Sequence, residues 1–253
     1  MRDLSVSRVQ ELRDQFERNM DFYEEISDVF QQVKKLIEQY HAGLAAEMRE
    51  RPTAHLVITS NHRFYGALNQ EVMQAFLKDW NEADDHVVVG WTGERLMEFD
   101  DRYKDCTFMH FKEDNPTRRE MQKLVSWAKG YDTVVVYYPQ YRDPFHQEPT
   151  TMDITNATSS TTSETSIEQF IFEPDLPLVH DFFSTQVQFI LIQRVMLETD
   201  LSRMAARLIR MDSAENSAAE MYEDKRKELK HTIQTQLDRQ LSESISGRNC
   251  SDE

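Results

Sequence analysis

Val9, Phe16, Tyr23, Phe30 and Ile37 recur every seven residues, and Leu12, Asn19, Ile26, Val33 and Tyr40 repeat that interval three residues behind. The two series form an a/d heptad seam, which closes only against another helix. They predict one helix over 4–48, stopped by Arg51-Pro52, with Asn19 as a polar residue at a d position. An amphipathic helix gains nothing from its apolar stripe alone, so the chain must supply or recruit a partner.

A partner is available at the other end of the sequence. Leu178–Ser246 contains no Pro and no Gly and reads as a second long helix. Its first part is apolar (FILIQRVML), and its second part thins to one apolar residue every four: Leu229, Ile233, Leu237, Leu241 and Ile245. Gly247 is the expected C-terminal stop. The first helix is expected to run antiparallel to this one, around Leu197, Leu201, Met204, Leu208, Met211 and Tyr222.

Between the helices, residues 55–175 alternate. Strands are expected at His55–Thr59, His86–Gly90, Thr107–Phe111, Thr133–Tyr138 and Gln169–Phe172, and helices at Asn69–Trp80, Arg95–Phe99 and Thr117–Lys129. The runs LVIT, VVV and TVVVYY are nearly continuous in apolar character, as in strands covered on both faces. The alternation implies βαβ units and a mostly parallel sheet. Residues 156–166 (NATSSTTSETS) are a polar, low-complexity insert, expected to be a surface loop.

Composition limits the partners. The chain carries 29 Lys and Arg against 45 Asp and Glu, a net charge of −16. That argues against a nucleic-acid partner, which requires clustered positive charge, and against unaided binding to an anionic membrane. Only 39% of residues are hydrophobic, which fits elongated helices better than a thick core. Cys106 and Cys250 form no metal motif and no disulfide framework, and a reducing compartment is the simplest expectation. Residues 1–20 show no apolar signal region, and apolar stretches such as Phe189–Ile192 are far too short to span a membrane.

Catalytic signatures are missing. No G-x-x-x-x-G-K-[ST] loop occurs, and no G-x-G-x-x-G follows a strand. The nearest glycine pair, Gly90 and Gly93 in GWTG, is explained by a turn. His62, Arg63 and Tyr65 cluster after the first strand, where α/β sheets often bind ligands, but loop packing is the favoured reading of them. Asp84-Asp85 and Asp100-Asp101 read as solvated turn residues.

Two segments resemble the gamma subunit of F-type rotary ATP synthases. ITSNHRFYGALN (58–69) resembles the family's I-T-S-D-[RK]-G-L-x-G-x-[FL]-N, with Ser60, Gly66 and Asn69 matching and Asn61, His62, Arg63 and Tyr65 departing. AARLIRMDSAENSA (205–218) resembles A-A-R-M-x-A-M-x-x-A-x-x-N-A, matching at Ala205, Ala206, Arg207, Met211, Ala214 and Ala218. Continuing without a gap, Gln234, Leu241, Glu243 and Gly247 fall on the family's terminal pattern, whose Arg is Ile233 here. In this register Met1 falls inside the family's first helix, which marks a divergent, N-terminally short member.

The resemblance implies a small parallel-sheet, Rossmann-like α/β domain (51–175) inserted between two long antiparallel coiled-coil helices (1–50 and 176–253). It implies a non-catalytic rotor shaft with no catalytic residue, cofactor or metal. The implied partners are the alpha and beta subunits, the epsilon subunit and the membrane c-ring. Partner contacts are expected at Arg207, Met211, Ile233, Gln234, Leu237 and Leu241. The implied location is peripheral, on the cytoplasmic face of an energy-transducing membrane, the bacterial plasma membrane. Two other classes fit the residues: a coiled-coil adaptor outside the synthase, and an α/β enzyme using the surroundings of His62.

Overall fold

The computed structural model describes residues 10–11, 13–23, 53–155 and 176–249, with side chains of the last stretch placed at 182 and 185–243. It divides into two units, Met1–Leu208 and Ile209–Glu253.

The first unit is built on a five-stranded sheet in the order β3-β2-β1-β4-β5. Strands β1 (Thr53–Ile58), β2 (Asp85–Val89), β3 (Cys106–Met109) and β4 (Thr133–Tyr141) are parallel to one another. The fifth, β5 (Gln147–Asp153), returns antiparallel beside β4. The sheet is therefore mixed rather than parallel. The cause is a tight hairpin after β4: the Asp143 carboxylate accepts from the amides of Phe145 and His146 at 2.7 and 2.9 Å, so the chain reverses with no crossover helix. The expected strand at Gln169–Phe172 lies outside the described residues.

Side-chain alternation assigns the two faces of the sheet. Val57, Val88 and Tyr137 point toward α2 (Leu68–Lys78) and α3 (Trp91–Met97), meeting Val72, Met73, Phe76 and Met97. Leu56, Ile58, Val87, Val89, Val134 and Val136 point the other way. They meet Leu124, Val125 and Ala128 of α4 (Arg118–Ala128) and Val187, Leu191, Ile192, Val195 and Met196 of α5 (Leu176–Asn249). The apolar FILIQRVML run thus serves the sheet. Helix α4 starts on a capping box: Thr117 accepts from the Glu120 amide, and Glu120 accepts from the Thr117 amide.

Residues 10–11 and 13–23 are helical (α1). Asn19 is buried, Phe16 and Tyr23 are half-buried, and most residues between them are exposed. Tyr23 packs against the cluster that contains Val187 and Leu191, and the Arg194 guanidinium sits 6.0 Å from its ring centroid. Val9, Leu12 and the seam from Ile26 to Tyr40 lie outside the described residues. On α5 (Leu176–Asn249) Leu201 is buried, whereas Tyr222, expected beside it in one interface, is 67% exposed.

Helix α5 runs to Asn249, so Gly247 does not stop it. A glycine costs a helix about 1 kcal/mol but ends it only when it turns left-handed. Among the described residues no helix is long and apolar enough to cross a membrane.

Candidate functional site

The loop after β1 and the loop after β3 meet the last turns of α5 within the first unit. Tyr65 donates its hydroxyl to Asp114 Oδ2 at 2.9 Å, and the Asn61 amide donates to Asp114 Oδ1. The Asn61 side-chain amide donates to the Phe111 carbonyl at 3.0 Å, and its oxygen accepts from the Trp91 amide at 3.3 Å. From α5, Arg203 Nη1 donates to the Asp114 carbonyl at 3.3 Å, and Asp200 accepts from Asn115 at 2.9 Å. Ser202 donates to the Pro139 carbonyl of β4 at 2.9 Å.

These groups occupy the carboxyl ends of the strands where the sheet order reverses, the place where open α/β sheets commonly hold ligands. Arg203 is 2% exposed, and burial lowers its pKa against the pull of Asp114 and Asp200. Tyr65 is 4% exposed, and burial, with the Asp114 carboxylate next, pushes its hydroxyl up to about 12. Of the three loop residues singled out in the sequence, only Tyr65 turns inward. His62 and Arg63 are exposed, and the His62 carbonyl accepts from Ser60. The three are not brought together as an acid/base group.

Gly90 and Gly93 serve a closer packing than a turn requires. Gly90 has φ +98°, and a Cβ there would lie 2.5 Å from the Thr59 carbonyl oxygen. At Gly93 a Cβ would fall 2.6 Å from both Thr59 Oγ1 and Val88 Cγ1. The Gly93 amide instead donates to Thr59 Oγ1 at 2.9 Å, which seats α3 against β1.

Arg207 belongs to this first unit and is half-buried. The other expected contact residues lie in the second. Met211 is half-buried, Gln234 is exposed, and Ile233, Leu237 and Leu241 are 48%, 51% and 61% exposed. Together with Leu229 they make an apolar row four residues apart, which is one stripe on a helix. Ion pairs surround the row, among them Lys225–Glu228, Arg226–Glu223 and Arg239–Glu243. At 1.5 Å per residue, Ile209–Asn249 extends about 60 Å.

The sequence reading missed Asp114, Asp200 and Arg203. A signal was available for Arg203: it falls four residues after Thr199 and eight after Val195, on the buried stripe of α5.

A family model described as ATP synthase matches residues 1–250. The ATP synthase gamma chain of Staphylococcus saprophyticus is 23% identical over 98% of this chain and 90% of its own length. The ATP synthase gamma chain of Dictyoglomus thermophilum is 26% identical over 97% of this chain and 89% of its own. In fold, the chain is similar to one from the central stalk and c-ring structure of the Tetrahymena thermophila mitochondrial ATP synthase. The TM-score is 0.62 at 17% identity, covering 85% of this chain and 97% of that one.

Proposed function

The chain belongs to the ATP synthase gamma family, and from that premise we propose a division of labour along its length. It is a gamma-type central-stalk subunit of a rotary ATP synthase, non-catalytic, and peripheral to the membrane-bound complex. Its partners are the alpha and beta subunits, the epsilon subunit and the c-ring. The finer assignment is a shaft of two antiparallel coiled-coil helices, 1–50 and 176–253, around the α/β domain at 51–175. Ion-driven rotation turns this shaft, and each orientation presents different side chains to the catalytic subunits. A partner responds only to contacts that differ between its states, so an asymmetric shaft converts angle into a change at the nucleotide sites. The complex sits on the cytoplasmic face of a bacterial plasma membrane.

The observation that carries the reading is the exposed apolar row Leu229, Ile233, Leu237 and Leu241 on an otherwise charged helix. Apolar side chains in a continuous exposed stripe call for a partner surface. Arg207 and Met211 near the base, and Ile233, Gln234, Leu237 and Leu241 further along, are the proposed contacts. Ending the chain after Leu229 tests this. The truncated chain should keep the α/β domain folded, judged by its thermal melt and circular dichroism. Assembled with alpha and beta subunits, it should lose most coupled turnover. Full-length rates from the truncated chain would remove residues 230–253 from the working shaft.

A further inference from the structure

The contact between α5 and the sheet changes character along the helix. From Val187 to Met196 it is apolar. Apolar contact has no preferred direction, so it resists separation but offers little resistance to sliding or turning. From Asp200 to Arg203 hydrogen bonds join the buried Leu201, and their energy falls steeply with a few tenths of an ångström or a tilt of the donor. These bonds reach three separate pieces of the domain. Arg203 and Asp200 hold the loop after β3 through Asp114 and Asn115, and Ser202 holds β4 through Pro139. Asp114 in turn holds the loop after β1 through Tyr65 and Asn61.

The cluster lies at the end of the first unit, whose last residue is Leu208. Its helix side is buried: Arg203 and Asp200 are 2% exposed, Ser202 is 0% exposed and Tyr65 is 4% exposed, whereas Asp114 is half-buried and Asn115 is exposed. Burial strengthens the polar contacts of Arg203, Ser202 and Tyr65 and hinders solvent from replacing them while the helix is under load.

We propose that Arg203, Asp114 and Tyr65, with Asp200–Asn115 and Ser202–Pro139 beside them, are the positioning residues that lock the helix against turning and carry torque between it and the α/β domain. This rests on the rotor reading above. The apolar contacts keep the helix on the sheet, and the polar cluster sets its angle. Loss of the cluster should therefore matter little in an idle molecule and increasingly under opposing force. A contribution to folding alone carries no such dependence on load.

The test uses the intact rotary complex in sealed vesicles, with ion pumping per ATP hydrolysed measured against a series of opposing ion gradients. Arg203→Gln should hydrolyse ATP at about half the parent rate or better and pump normally without a gradient. Against the steepest gradient its pumping ratio should fall at least about threefold, because a directional charged bond is gone. Arg203→Lys should recover part of that loss. Tyr65→Phe deletes one hydroxyl while keeping the ring, and should show a smaller loss with the same load dependence. A pumping ratio equal to the parent's at every gradient in Tyr65→Phe, and in Arg203→Gln where that variant assembles, overturns the inference. A parent chain that forms no complex with alpha and beta subunits overturns the rotor reading itself, and this inference with it.

Discussion

The indole of Trp80 lies flat on the imidazole of His86, with ring centroids 3.5 Å apart and planes 10° from parallel. His86 is 3% exposed, and its Nε2 has no hydrogen-bond partner among the described residues. Burial, and then the neighbouring His55, lower its pKa below 6.5, although Asp84, Asp85 and Asp105 pull the other way. The folded chain therefore holds His86 neutral where the unfolded chain would protonate it. Stability is full above pH 6.5 and is lost as pH falls toward the depressed folded value. Replacing His86 with Phe keeps a ring against Trp80 and removes the proton. Urea unfolding of His86→Phe at pH 5 and pH 7.5 should show the acid loss reduced by on the order of 1 kcal/mol.

Phe64 has φ +81° and a side chain 77% exposed, so its backbone is strained with little packing in return. A left-handed non-glycine residue costs about 1–2 kcal/mol, and glycine gives back about 1 kcal/mol through the freedom of the unfolded chain. Phe64→Gly should leave stability unchanged or raise it by up to about 1 kcal/mol. A lower denaturant midpoint would mean that the ring makes contacts in the isolated chain.

Gly90→Ala should be among the most damaging small substitutions in the chain. Its φ of +98° disfavours any side chain, and the new methyl would meet the Thr59 backbone oxygen at 2.5 Å. Backbone on both sides cannot move aside as a side-chain tip can, so a loss of about 2–4 kcal/mol is expected in thermal melts.

Ile233→Arg restores the arginine of the family's terminal pattern beside Gln234. A charge-assisted bond to a carboxylate is worth about 1.5–3 kcal/mol, against about 1 for a neutral amide bond. The variant complex should bind its shaft more tightly and with steeper salt dependence. The measurement is dissociation of the chain from alpha and beta subunits across a salt series. A flat salt response would place position 233 away from any acidic partner.

The buried strands were readable because Val57, Val88 and Val136 lie in β-branched runs that only a sheet covered on both faces accommodates. Strand β5 was not, since QEPTTMD holds a proline and little apolar residue, and its pairing comes from β4 rather than from its own side chains. Asn19 announced itself as the polar member of a heptad position. Arg203 offered only its spacing from Val195 and Thr199, because a charged residue in a helix reads as solvated until the loops that cover it are known. The same limit hid Asp114, which looks like one acid among many in a chain with 45.

At the reversal of strand order, where other α/β domains leave room for a diffusing molecule, this fold has placed the side chain of Arg203. An occupant joined to the same polypeptide has a fixed local concentration that no change in the cell's metabolites alters. The seating of the helix at this point is therefore set when the chain folds.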